Sequence, residues 1–315
     1  MRNILIDCDP GHDDAIAILL ALGNKEKLNI KGITTVAGNQ TVDKVTNNAL
    51  KILEFIGENI PVAVGATKPV FNSLFTGAES HGSSGMDGPE LMEPKIKPID
   101  KNAIEFMREV VSSSDEPVTL VALGPLTNIG LFLLTYPELK EKIEMISLMG
   151  GAYEGGNVTS CAEFNIYVDP EAAKMVFNSG VPIVMSGLDI AREIQIFDYE
   201  IEKLKDEGKV SNLVRELLEF YSIASKRFGF EGSPLYDVSS VAYLLNPEIF
   251  TLKHCKVDVE TKGELTRGMT VVDIKAKEEE KNAYVMFDAN REVFSNMIFE
   301  SLKVLDKRVG KGDIS

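Results

Sequence analysis

The chain has 315 residues, 44% hydrophobic and 26% charged, with a formal net charge of −15 and a sequence pI near 4.8. That is enough apolar residue for one large globular core or two small ones, and so negative a surface excludes nucleic acid and anionic membranes as expected partners, leaving a small uncharged or cationic ligand. Three cysteines, Cys8, Cys161 and Cys255, show no paired spacing, which points away from a disulfide scaffold and toward a reducing compartment, the cytoplasm.

The first strand is entered within three residues, so no signal peptide is expected, and no apolar run reaches the eighteen or so residues of a membrane span. Ile4 to Ile6 reads as a short buried strand, Pro10-Gly11 as a turn and Asp13 to Leu22 as a helix of good formers. Asp7, Asp9, Asp13 and Asp14 crowd this unit. One or two aspartates cap a helix and meet the positive end of its dipole. Four exceed that need, and like charges this close oppose folding unless a cation or water sits among them. The loop leaving a strand of an open α/β sheet is where ligands bind, so the cluster is expected to be a metal or ligand site.

Further along, "IKGITTVAG" precedes a helix through "VDKVTNNALKILEFIG". Then "PVAVGA", "PVTLVALG" with "PLTNIGLFLLTYPEL", "IEMISLMGG", "PEAAKMVFNSG" and "VPIVMSGLD" keep the rhythm of a mostly parallel, Rossmann-like sheet flanked by helices. No linker or repeat divides the chain. A single α/β domain is expected, with the site at the C-terminal strand ends, a helical segment near residues 198 to 228 over one end, and an antiparallel edge or extension between Cys255 and Phe287. The terminal "RVGKGDIS" reads as polar tail, placing the domain at 1–305 and the tail at 306–315.

Two irregular stretches are longer than ordinary connections and read as lids or binding loops. Residues 70–98 contain "FTGAESHGSSGMDGPE" with His81, and residues 150–170 offer Asn157, Glu163 and Asn165, short polar groups able to hold several hydroxyls, as a sugar requires. Asp9, Asp13 and Asp14 supply the oxygen ligands of Ca²⁺ or Mg²⁺; no His/Cys set suits zinc, and no phosphate-binding glycine motif is present.

"DCDPGHDDAIAILLA", the loop ending "TTVAGNQ", "GPLTNIGL", "MGGAYEGGNVTSCAEFNIYVDPEAA" and "SPLYDVSSVAYLLNPEIF" follow in that order, and the chain resembles the nucleoside hydrolase family, inosine-uridine preferring branch, to about residue 305. The resemblance implies hydrolysis of the N-glycosidic bond of ribonucleosides by a calcium-bound water, in nucleoside salvage, by a homo-oligomer, dimer or tetramer. It implies Asp9, Asp14, Asp237 and the carbonyl of Leu123 as Ca²⁺ ligands. Asp13, Asn157, Glu163 and Asn165 would then hold ribose hydroxyls, with Met149 lining the sugar pocket and Asn39 positioning the water. Asp9 beside that water would serve as general base, and carboxylates such as Asp13 and Glu163 would stabilise an oxocarbenium-like state.

The chain departs from that pattern at Tyr236, where relatives carry His before the last calcium aspartate. A phenol is a weaker acid than imidazolium but still donates a hydrogen bond. Leaving-base activation therefore falls to Tyr236 or to His81, which matches a second family histidine. Phe228 either stacks on the base or packs in the core, the commoner fate of an aromatic at helical spacing. His12 reads as a solvent-facing turn residue with a pKa raised by its acidic neighbours, and His254 as strand-edge surface. The alternatives are a non-catalytic nucleoside or ribose sensor that keeps the metal site, and a phosphatase of the haloacid dehalogenase type with Asp9 as general acid.

Overall fold

Ile4 and Ile6 face one apolar layer and Leu5 between them faces the other, the period-two alternation of a strand covered on both sides. In the computed structural model, which describes residues 1–312, this strand is β1 (Arg2–Cys8), and it leads into α1 (His12–Gly23), β2 (Leu28–Thr35), α2 (Val42–Ile56) and the short β3 (Val62–Val64). A long connection holding only the four-residue α3 (Ala78–His81) precedes α4 (Ala103–Ser113), β4 (Val118–Ala122), α5 (Thr127–Thr135) and β5 (Ile143–Met149). A second irregular stretch precedes α6 (Phe164–Val168), α7 (Pro170–Phe177) and β6 (Ile183–Ser186). The two-residue strands β7 (Gln195–Ile196) and β8 (Ser233–Pro234) pair with each other, with α8 (Asp198–Ile201) and α9 (Lys209–Arg227) between them. The chain closes with α10 (Tyr236–Leu245), β9 (Phe250–Val259), β10 (Thr270–Asp273), β11 (Ala283–Ala289) and α11 (Arg291–Gly312).

The nine-stranded sheet runs β10-β9-β11-β6-β5-β4-β1-β2-β3. From β3 to β11 its neighbours are parallel, and β9 is antiparallel to both β11 and β10. This is the expected α/β fold with its antiparallel extension, which begins at Phe250 and ends at Ala289. The order of the first six strands reverses between β1 and β4, and the crevice outside their carboxyl ends is where such sheets bind ligands. Helix α1 is buried on every side, with α9, α10 and α11 packed over it, as its unbroken "AIAILLAL" requires.

The division at residue 305 does not appear in the fold. Over the described residues the stretch read as a tail is the end of α11, because its polar groups serve other helices. The Asp306 carboxylate accepts the main-chain N–H of Val210 (2.6 Å) at the start of α9 and the Ser211 hydroxyl (2.6 Å). Arg308 reaches the Leu22 carbonyl (3.2 Å) and Glu58 (3.0 Å). All three cysteines are free, and among the described residues no helix is long and apolar enough to cross a membrane.

Candidate active site

The turn after β1 folds around the side chain of Asp14, whose carboxylate accepts the N–H of Asp9 (3.2 Å) and of Gly11 (3.0 Å) and so closes the first turn of α1. The loop after β2 brings Asn39 alongside. Its main-chain N–H donates to Asp9 Oδ2 (2.7 Å), and its Nδ2 donates to the Asp9 carbonyl (3.1 Å) and to Asp14 Oδ2 (3.2 Å). Gly38 and Gly124 close on the Asp9 carboxylate so tightly that a Cβ on either would come within 2.1 or 2.4 Å of it. Asp237 enters from the first turn of α10, and carboxylate oxygens of Asp13, Asp14 and Asp237 lie within 4.8 Å of one another.

All four aspartates are buried, and no Lys or Arg among the described residues lines the cavity above them. Burial first, then the neighbouring aspartates, pushes Asp9 and Asp237 well above the usual carboxylate range and Asp13 up to about 7; burial raises Asp14 as well. Four such groups cannot all be ionised in a dry site without a cation among them. The donors are all oxygen, which suits a hard cation such as Ca²⁺ and not zinc. The tightest group is Asp13, Asp14 and Asp237, whereas the resemblance implies Asp9, Asp14 and Asp237.

Glu163 caps the N-terminus of α6. Its carboxylate accepts the N–H groups of Gly151 (2.9 Å), Asn165 (2.8 Å) and Ile166 (3.1 Å), which hold a pKa that burial lifts to about 6 from rising further. Asn165 Nδ2 donates to the carbonyls of Leu123 (2.6 Å) and Met149 (3.2 Å), tying the loop after β5 to the end of β4. Between this wall and the aspartates opens a cavity of about 630 Å³. Asp13, Asn39, His81, Leu123, Met149, Asn157, Glu163, Asn165, Phe228, Tyr236 and Asp237 all line it; of the expected site residues, Asp9 and Asp14 lie beneath its floor. Both long irregular stretches contribute to its walls.

Two sequence readings are corrected here. His12 is fully buried, not solvent-facing, and its pKa is lowered to about 4 because burial outweighs every neighbouring charge. Its ring stacks on Phe220 (5.0 Å between centroids, 3° between planes). Phe228, at the C-terminal end of α9, is 62% exposed on the cavity rim and does not pack in the core. His254 is part-buried strand surface, paired with Glu278 (2.5 Å). Burial, Asp13 and Glu163 raise the Tyr236 phenol, so it stays protonated and able to donate. His81 is buried as well, and its pKa falls well below the usual imidazole value through burial and the nearby His12 ring.

Phe75, Phe164, Tyr221 and Phe230 also line the cavity and have no counterpart among the expected residues. Tyr221 is nearly parallel to both His12 and His81, with its ring centroid 5.6 Å from each. The only signal for it in sequence is the apolar periodicity of α9, which does not say which face meets a cavity.

A family profile described as inosine-uridine preferring nucleoside hydrolase matches residues 4–296. The chain is 49% identical over 306 residues to the pyrimidine-specific ribonucleoside hydrolase RihA of Photobacterium profundum, covering 96% of this chain and 98% of that one. It is 50% identical over 308 residues to the protein of the same description from Shewanella sp. (strain MR-4), covering 96% of each. Among solved structures, a purine-preferring ribonucleoside hydrolase from Gardnerella vaginalis superposes with a TM-score of 0.91 at 30% identity, covering 97% of this chain and 99% of that one. An inosine-guanosine nucleoside hydrolase superposes with a TM-score of 0.88 at 26% identity, covering 98% and 99%.

Proposed function

Because the chain belongs to the inosine-uridine preferring nucleoside hydrolase family and is a ribonucleoside hydrolase, we propose that it is calcium-dependent, prefers pyrimidine ribonucleosides and uses Asp9 as its general base. The observation that carries the metal reading is the set of four buried aspartates without a cationic side chain among the cavity's lining, Asp13 and Asp237 facing the cavity of about 630 Å³ and Asp9 and Asp14 beneath them. Asp14, Asp237, Asp9 and the Leu123 carbonyl would hold the ion, with Asp13 beside them. Bound there, Ca²⁺ would supply Lewis acidity toward a water and toward the oxygen atoms of vicinal hydroxyls.

The protein's own groups do the rest. Asp13, Asn157, Glu163 and Asn165 hold the ribose hydroxyls, and Met149 packs against the sugar. Asn39 fixes Asp9 through two hydrogen bonds, so the Asp9 carboxylate meets the attacking water in one orientation. The water oxygen bonds to C1′ and its proton passes to Asp9 as the C1′–N bond breaks, its electron pair leaving with the base. Positive charge that builds on the sugar faces the carboxylates of Asp13 and Glu163. The leaving base receives a proton from His81, and Tyr236 donates a hydrogen bond to it. Phe228 on the rim offers a face for stacking.

The pyrimidine preference is supported by relatives near 50% identity that are described as pyrimidine-specific, against the 30% identity of the purine-preferring structure. The same proposal takes the enzyme to be a homo-oligomer, dimer or tetramer, acting in the cytoplasm in nucleoside salvage. Steady-state kinetics on uridine, cytidine, inosine, adenosine and guanosine test it. A kcat/KM for uridine or cytidine at least about tenfold above the purines is expected, and Asp9→Ala is expected to lose about 10³-fold. Inosine turned over as well as uridine removes the preference, and near-native turnover by Asp9→Ala removes the base.

A further inference from the structure

We propose that Asp189 is a positioning residue for the sugar site: its carboxylate holds the main-chain N–H groups of Tyr153 and Glu154 and so fixes the loop that carries Asn157 to the cavity. This rests on the reading of Asn157 as a holder of ribose hydroxyls.

The loop after β5 leaves the sheet and has to be supported by something else. β5 and β6 pair in parallel as far as Met149 and Ser186. Beyond that register the two chains share two more main-chain bonds, from Gly150 N–H to the Ser186 carbonyl (3.0 Å) and from Leu188 N–H to the Gly151 carbonyl (3.0 Å). The N–H groups of Tyr153 and Glu154 lie past the end of β6, and the Asp189 carboxylate takes both, Tyr153 on Oδ2 (2.8 Å) and Glu154 on Oδ1 (2.9 Å). Two donors on the two oxygens of one carboxylate fix orientation as well as distance. From the other side Thr270, buried at the start of β10, accepts the Ala152 N–H (2.9 Å) on Oγ1 and donates to the Ala152 carbonyl (2.7 Å). With Gly151 N–H on Glu163, every main-chain N–H from Gly150 to Glu154 is bonded.

At Gly155 the chain turns. Its φ of 76° lies in the left-handed region that glycine enters without strain. The N–H groups of Asn157 and Val158 then converge on the Ala162 carbonyl (3.2 Å each), which closes the loop just before the Glu163 cap. Asn157 lines the cavity, and among the described residues its side chain makes no hydrogen bond within the protein, so its direction comes from the backbone. Three N–H groups fix the Glu163 end of this loop, and Asp189 fixes the other. Asp189 does not itself line the cavity, although its neighbour Leu188 does, so its effect on the sugar passes through the loop.

Kinetics on uridine with Asp189→Ala, Asn157→Ala and the double variant test this, together with amide hydrogen exchange. We expect each single variant to raise KM and to lower kcat/KM about 10- to 30-fold, and the double variant to lie within about twofold of Asn157→Ala, because both remove the same contact. Asp189→Asn, which keeps one acceptor oxygen, recovers part of the loss. In Asp189→Ala exchange quickens over residues 152–160 and stays slow in β1 and α1. Losses that multiply in the double variant, as two independent structural defects do, or unchanged exchange over 152–160, overturn the proposal. Thr270→Val removes the opposite anchor at nearly constant shape, and the same failure to multiply with Asn157→Ala is expected of it, which keeps the test open should Asp189→Ala not fold. Undiminished turnover by Asn157→Ala overturns the ribose reading instead, and the exchange measurement then decides the anchor on its own.

Discussion

Replacing Asn128 by alanine tests how the floor of the site is held. Asn128 is buried on α5, and its Nδ2 donates to Asp7 Oδ1 (2.7 Å) and to the Thr35 carbonyl (3.0 Å), while its Oδ1 accepts the N–H of Ala66 (2.9 Å). Asp7 itself is fully buried on β1. Its Oδ2 has no hydrogen-bond partner among the described residues, and the Thr34 hydroxyl (2.6 Å) is its other donor. Asn128→Ala strands a buried carbonyl, an N–H and half the support of a buried carboxylate. Each stranded group costs about 1–3 kcal/mol, so the variant loses about 3–5 kcal/mol. For 315 residues, with an unfolding entropy of about 2.1 cal/mol/K per residue, that is about 5–8 °C in Tm.

The loss also has a pH signature. Burial lifts Asp7 to about 7 against the hydrogen bonds of Thr34 and Asn128, which lower it. A carboxyl with its folded pKa raised costs stability as pH rises above the unfolded value, and the cost is complete once pH passes the folded pKa. Removing Asn128 raises the folded pKa further. The gap between wild type and variant is therefore constant at about pH 6, where both keep Asp7 protonated when folded, and wider at about pH 8.5. Urea unfolding at the two pH values measures it. A loss below about 1 kcal/mol, or a gap that does not widen with pH, refutes the reasoning.

Three further outcomes follow from the same geometry. Because Asp13 sits near 7 and Asp9 and Asp237 above the usual range in the ion-free protein, Ca²⁺ binding at neutral pH displaces protons and its apparent affinity falls on acidification; calorimetry in two buffers of different ionisation enthalpy sees unequal heats, and equal heats contradict this. Gly11→Ala places a Cβ 2.4 Å from His81 Nδ1 and 2.9 Å from Asn39 Nδ2, so kcat/KM falls about 100-fold in a protein whose circular dichroism stays native; a rate within about threefold of wild type counts against the packing argument. Phe228→Ala, exposed on the rim, raises KM for uridine about three- to fivefold at unchanged kcat and leaves Tm in place, whereas an unchanged KM removes Phe228 from the base site.

The alternation of apolar runs made the parallel layers legible, because strands buried on both faces and helices of good formers leave that rhythm whatever the chemistry of the site. The aspartate cluster was legible for the opposite reason: charge in an apolar unit is out of place unless something compensates it. What escaped depends on docking between distant segments. Four nearby carboxylates in sequence argue for a raised His12 pKa, yet in space its ring meets Phe220, Tyr221 and the Asp87 carbonyl, and burial wins. Tyr221 and Phe230 look like core in a linear pattern, and only the packing of α9 against α1 and α3 puts Tyr221, and Phe230 just beyond its end, on the cavity wall. The polar end of α11 looked like a tail because its partners, Val210, Ser211 and Glu58, are remote in sequence.

The central claim is that the buried aspartates hold a divalent cation on which hydrolysis depends. Ribose release from uridine, measured after exhaustive chelation with the residual metal quantified and again after Ca²⁺ is restored, tests it most directly. The account predicts that release stops with the metal removed and returns with Ca²⁺, and that Asp14→Asn abolishes both the activity and the Ca²⁺-dependent rise in Tm. Full turnover by protein shown to be metal-free would contradict it.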